Sequence, residues 1–186
     1  MDIYPILLTT LLALLGFYVK NSYNAYIIKN RLALSLLTEI TLLMELYRRS
    51  RSISPPFRLI EEIDSQGNIE YKRGKMLLSE SFLVIYDHNT DKLGMFPEDT
   101  ISAVIEIYST ARGHIYSVNT WNNELSTKTA RDREEVKRYE KVLEGEFDQL
   151  EKQEKIVINY LQREVNELFT EYLYKNIKDF IKKILC

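Results

Sequence analysis

Few residues in this chain are of a type and spacing that could do chemistry. Arg112, His114 and Asn119 lie close together, and a histidine beside an arginine is the pairing that could move a proton while holding a phosphate. To cleave RNA, both side chains must face the same group. On a helix a spacing of two sends them in diverging directions, so they stand as a weak polar cluster and no catalytic residue is assigned. Asp87, His88 and Asp91 carry oxygen and imidazole donors that can bind a metal. The same residues commonly finish a helix at a turn, and that is the reading carried forward, with no metal. Cys186 is the single cysteine, which excludes an internal disulfide and a cysteine-based zinc site. No glycine-rich phosphate loop, nucleophile elbow or His-Glu-x-x-His stands in the sequence. The chain therefore reads as a non-enzyme without a cofactor, and a ribonuclease using Arg112 and His114 is the least favoured alternative.

The elements around these residues carry more information. In 186 residues, 25 Lys and Arg stand against 27 Asp and Glu, so the bulk charge gives no reason to expect direct nucleic-acid binding. The distribution is uneven. Eight charged residues occupy the first fifty positions, whereas Lys128 to Cys186 carries thirteen basic and thirteen acidic groups. With only six Gly and four Pro, the chain lacks the frequent turns of a sandwich or barrel, and long helices are expected.

Ile3 to Val19 holds no charge, and as a helix these residues span roughly 25 Å, slightly less than a bilayer's hydrocarbon core of about 30 Å. Tyr18, Lys20, Tyr23 and Tyr26 follow as interface anchors able to cover the mismatch. A secretory signal would open on positive charge, but Asp2 precedes the segment. Lys20, Lys29, Arg31, Arg48, Arg49 and Arg51 come after it, which predicts an outside N-terminus and a cytoplasmic body. The division expected is a transmembrane anchor over 1–20 and a cytoplasmic helical domain over 21–186. The alternative is a buried core helix. Within the anchor, Thr9, Ala13 and Gly16 share one face whose small side chains would let two helices approach closely and form a homo-oligomer.

Leu32 to Tyr47 is apolar on nearly every side, with Glu39 and Glu45 as its charges, and no Gly or Pro interrupts the chain between Gly16 and Pro55. One helix should run from the anchor into a bundle, with Arg48, Arg49 and Arg51 capping its end; a phosphate or RNA contact is the alternative for this triplet, without the aromatic interleaving of single-strand binders. A small hairpin is expected over 57–73, a short helix over Ser79 to Asn89, and a helix from Pro97 to about Asn119 with Ile101, Ile105, Tyr108, Arg112 and Ile115 on one side. Beyond Lys128, a long amphipathic helix is marked by Val136, Tyr139, Leu143, Phe147, Leu150, Val157, Leu161, Val165, Leu168 and Tyr172. A break is expected near Gly145 unless neighbouring subunits support the full length. In the last stretch Ile177, Phe180, Ile181 and Ile184 oppose Lys175, Lys178 and Lys182, a pattern that suits docking on the bundle and also suits an anionic membrane surface.

The N-terminal span, the dense Leu/Glu helix and the run Tyr86 to Ile115, with Asp87-x-Asn89, Leu93-Gly94 and Ile105-x-x-Tyr108, resemble small bacterial single-pass helical membrane proteins. In size and layout the chain is similar to the membrane accessory proteins of type VI-B CRISPR systems. That resemblance implies an oligomeric pore in the bacterial inner membrane supporting an RNA-guided effector, with a cytoplasmic protein or ribonucleoprotein as partner. The HEPN-type ribonuclease ancestry ascribed to that group has no correctly spaced Arg and His pair behind it here. The fold expected is all-α: a single transmembrane helix, a cytoplasmic bundle and a long C-terminal helix. The activity expected is perturbing or gating the bilayer in antiviral defence, or, alternatively, tethering a partner as a scaffold without a pore.

Overall fold

The structure is a computed structural model that describes residues 3–53, 60–63, 69–72, 79–127 and 133–185. It is helical apart from one small hairpin. Helix α1 runs unbroken over Ile3–Ile53, and strands β1 (Ile60–Ile63) and β2 (Ile69–Lys72) follow. A 3-10 turn, Glu80–Leu83, leads into the short helix α2 (Val84–Asp87), and a second turn, Thr90–Met95, leads to α3 (Glu98–Thr127). Helices α4 (Arg133–Asn166) and α5 (Phe169–Leu185) complete the chain.

The 51-residue length of α1 follows from its composition. Pro5 sits in the first turn, where its missing N–H is not needed, and the next prolines lie beyond the helix end. The division drawn at residue 20 thus falls inside one helix. Its two parts have opposite surroundings. Tyr4 and every residue from Ile6 to Phe17 are exposed, whereas Leu32, Ala33, Leu36, Ile40, Leu43, Met44 and Tyr47 are buried. This first part makes α1 long and apolar enough to cross a membrane.

The buried stripe of α1 recurs every three or four residues, the period that keeps one helical face turned inward. Helix α4 lies along both α1 and α3 and contributes Leu143, Phe147, Leu150, Val157 and Leu161. From α3 come Val104, Ile107, Tyr108, Ala111, Ile115 and Val118. Burying one such aliphatic side chain stabilises by about 1.5–3 kcal/mol, so these three helices hold most of the fold. The inward face of α3 differs from the one expected. Ile105 is 46% exposed and Arg112 is exposed, because the stripe passes through Val104 and Ala111 instead.

The hairpin falls inside the 57–73 expectation, with Ile60 opposite Lys72 and Ile63 opposite Ile69; its polar connection, 64–68, lies outside the described residues. Arg48 does not simply cap α1. It reaches α4, pairing with Glu154 and, at 3.4 Å, with Glu151, while Arg49 pairs with Glu45 one turn back. Gly145 does not interrupt α4, and the break comes instead at Glu167 and Leu168. Leu168, expected in the apolar stripe, is 62% exposed at that break. Helix α5 docks on α1 through Phe169 and Tyr172, but Ile177 and Ile181, the face expected to cover the bundle, remain exposed.

Candidate functional site

Three elements meet where α4 ends, and α1 supplies the groups that end it. The last carbonyls of a helix have no partner within it. Asn30 donates from Nδ2 to the Val165 carbonyl at 2.9 Å, and the Tyr26 hydroxyl donates to the Glu167 carbonyl at 2.8 Å. At the start of α5 the Glu171 carboxylate accepts the Leu168 N–H at 3.3 Å, the returning half of a capping box. Each side of the break thus has end groups paired by a side chain.

Charge fills the centre of this junction. Lys29 Nζ lies 2.7 Å from Glu164 Oε2 and 2.6 Å from Glu167 Oε2, with all three side chains almost fully buried. Lys175 adds a second cation to Glu167 at 2.5 Å. Burial pushes the Glu167 carboxyl up, but hydrogen bonds and charge from Lys175 and Lys29 outweigh it and hold the group below the usual carboxylate range. On the other flank, Arg163 donates to both Asp99 oxygens at 3.2 Å and to Thr100 Oγ1 at 3.1 Å, joining the first turn of α3 to the last turn of α4. An acid at a helix start and a base at a helix end also suit the two helix dipoles. A cleft of about 500 Å³ opens between Pro97 and Asp99 on one side and Arg163, Glu167 and Lys175 on the other. Glu164, Glu167 and Asp99 each face a cation, and Glu171 is engaged with the Leu168 N–H. The arrangement is an electrostatic latch.

A second polar position lies on α1 itself. Glu39 is buried and accepts the N–H groups of Ile85 at 2.7 Å and Tyr86 at 3.2 Å, and the Tyr108 hydroxyl at 2.5 Å. Helix α2 has no side-chain cap of its own, so a residue some forty-five positions away caps it. Burial, with the Glu39 charge behind it, pushes the Tyr108 hydroxyl well above the ordinary tyrosine value.

The residues singled out for chemistry part company. Arg112 is exposed, pairs with Asp87 and lies over the Tyr86 ring at 5.7 Å. His114 is fully buried against Tyr47, with Nδ1 3.0 Å from Glu146 Oε2. Asn119 is exposed on a further turn of α3. With its Nδ1–H directed at Glu146, the other ring nitrogen of His114 has no hydrogen-bond partner among the described residues. Burial lowers the His114 pKa against the opposing pull of Glu146, which keeps the ring neutral. Asp87 serves Arg112, His88 Nδ1 contacts the Val84 carbonyl at 2.8 Å, and among the described residues no group of three acidic, His or Cys side chains is placed to hold a metal.

Thr9, Ala13 and Gly16 are all exposed on α1, and a Cβ placed on Gly16 would meet nothing within 4 Å. The Thr9 and Thr10 hydroxyls both donate to the Ile6 carbonyl, at 2.9 and 2.8 Å. Of the anchors, Lys20 and Tyr23 are exposed and Tyr18 is half-buried. Tyr26 is taken up by the junction, and Tyr23 meets Phe169 edge-on at 5.2 Å.

Sequence reasoning treated Lys29 only as one of the positive charges following the span, and it passed over Glu164 and Glu167. A lone lysine ahead of a dense apolar run was the available signal, because such a cation needs a buried partner. Nothing among known protein families, characterised proteins or solved structures matches this chain.

Proposed function

We propose that this chain is a single-pass membrane protein that self-associates and acts on the bilayer by perturbing or gating it. One observation carries the reading: a single uninterrupted helix is bare and apolar at one end and the central core element at the other. Displacing the body therefore tilts or rotates the span, since α1 has no Pro beyond its first turn and no Gly pair at which to kink. The latch at Lys29 places a rigid junction about 15 Å beyond Val19, at 1.5 Å per residue.

In this reading the N-terminus faces outward and the body lies in the cytoplasm of a bacterial cell, on the balance of Asp2 against Lys20 and Arg31. Lys29 contributes little to that balance, since it is neutralised by Glu164 and Glu167. Self-association runs through Thr9, Ala13 and Gly16, whose small side chains favour close helix packing. The setting implied by the CRISPR resemblance adds a ribonucleoprotein partner in antiviral defence.

A specific observation favours a second reading, a membrane tether without a pore. Thr9 and Thr10 satisfy their hydroxyls on their own helix and so need no polar lumen. Light scattering in detergent and dye leakage from vesicles separate the two. The first reading expects an oligomer and leakage, both reduced by Ala13→Leu and Gly16→Leu. A monomer that causes no leakage removes it and leaves the tether.

A further inference from the structure

Helix α5 carries a face that its own bundle leaves bare. Phe169 meets Tyr23 and Tyr26, whereas Asn176 and Asp179 line a cleft with Tyr18 and Ser22, so α5 runs antiparallel to α1 and toward the charge-free segment. Leu185 lies six residues beyond Asp179, about 9 Å further at 1.5 Å per residue. The last turns of α5 thereby run alongside the inner end of the stretch read as a span. On the side turned away from α1, Tyr174 is 68% exposed, Ile177 40% and Ile181 48%.

Two features indicate what covers this strip. Lys175 is held by Glu167, but Lys178 and Lys182 are exposed and make no ion pair among the described residues. Unpaired lysines beside an apolar strip match a surface of acyl chains and anionic headgroups. A second copy fits less well. Pairing two such faces would bring like charges together.

We propose that α5 is a second membrane-contacting element, with Ile177 and Ile181 sunk into the margin of an anionic leaflet beside α1 and Lys178 and Lys182 on lipid phosphates. The proposal rests on reading α1 as a membrane span. It gives the body two attachments to one leaflet, joined by the Lys29–Glu167–Lys175 latch, so that a change in lipid charge reaches the angle of α1.

Cys186 follows Leu185 and is the chain's single cysteine, so the full-length protein can take one nitroxide label there without further substitution. The label's accessibility to a water-soluble nickel chelate is read in phosphatidylcholine vesicles with and without phosphatidylglycerol. Protection from the chelate is expected in the anionic vesicles. Ile177→Asp with Ile181→Asp should lose that protection while the protein still floats with the vesicles and keeps its helical circular dichroism, both side chains being exposed. Lys178→Glu with Lys182→Glu should erase the difference between the two lipid compositions. A protein that floats with its label open to the chelate overturns the proposal alone; one that does not float overturns the span reading with it. Protection that disappears on diluting the protein at fixed lipid composition identifies a second copy as the occupant and also overturns the proposal.

Discussion

Lys29 and Glu167 stand 138 positions apart and meet at 2.6 Å, each side chain only 6% exposed. Taking a lysine and two carboxylates out of water is costly, and the pairing offsets that cost only while all the partners are present. Lys29→Met takes one cation from each carboxylate but leaves Arg163 3.1 Å from Glu164 and Lys175 on Glu167, so it should cost less than the about 3–5 kcal/mol of a buried charge with no partner left. For a chain of this size that limits the fall in Tm to less than roughly 20 °C, read by circular dichroism in detergent. Lys29→Met with Glu164→Gln should recover part of the loss. An unchanged midpoint in the single variant would mean that the latch carries no stability.

The Glu39 carboxylate binds two amides and one hydroxyl, so removing it strands donors from two elements. Hydrogen bonds to a charged group contribute about 1.5–3 kcal/mol, and Glu39→Ala should weaken amide protection at Ile85 and Tyr86 by tenfold or more. Glu39→Gln keeps one acceptor and should fall between. Hydrogen exchange resolved at those two amides checks both, and equal protection in all three proteins would show that α2 is held by apolar packing alone.

Two buried groups give stability the same direction of pH dependence at different places. His114 is neutral in the fold and binds its proton less readily than an unfolded histidine. Below the ordinary histidine value near 6.5 the unfolded chain takes up a proton that the fold refuses, so stability present above that value falls as pH drops through it. Glu167 is ionised to unusually low pH, so its contribution is present above the ordinary value of 4.5 and is lost as pH falls below it. Tm followed from about pH 8 to about pH 2 should therefore decline in two stages. His114→Leu should flatten the first stage and Glu167→Gln the second. If His114→Leu leaves the slope between pH 7 and 5 untouched, the ring is not the group that titrates there.

How much of this was legible in the sequence depends on whether the cause was local. The α4 stripe of Leu143, Phe147, Leu150, Val157 and Leu161 was readable because a 3.6-residue period is written into the chain itself. The exposed start of α1 was readable for the same reason, as a long stretch without charge. On α3, Ile105 is as apolar as its buried neighbours, and His114 looks polar, so residue type alone misplaced the inward face. The break in the last helix was unreadable at its true position. One glycine costs a helix only about 1 kcal/mol, which buried Leu143 and Phe147 on either side of Gly145 outweigh. The break at Glu167 is fixed by Tyr26, Lys29 and Asn30, more than 130 positions away.

That contrast makes Gly145 a direct probe of α4. It is exposed in the interior of α4, and a Cβ built there would meet nothing within 4 Å. Gly145→Ala therefore adds no clash and removes backbone freedom from the unfolded chain, which should stabilise by about 1 kcal/mol and raise Tm by roughly 2–4 °C. Gly113→Ala, equally open within α3, should do the same. Gly145→Pro removes a ladder hydrogen bond and should cost about 3 kcal/mol or more. The comparison also reports on assembly, because the open space at Gly145 is measured in a single chain. If Gly145→Ala destabilises the full-length protein in detergent, and less so as the protein is diluted, another copy packs against this side of α4.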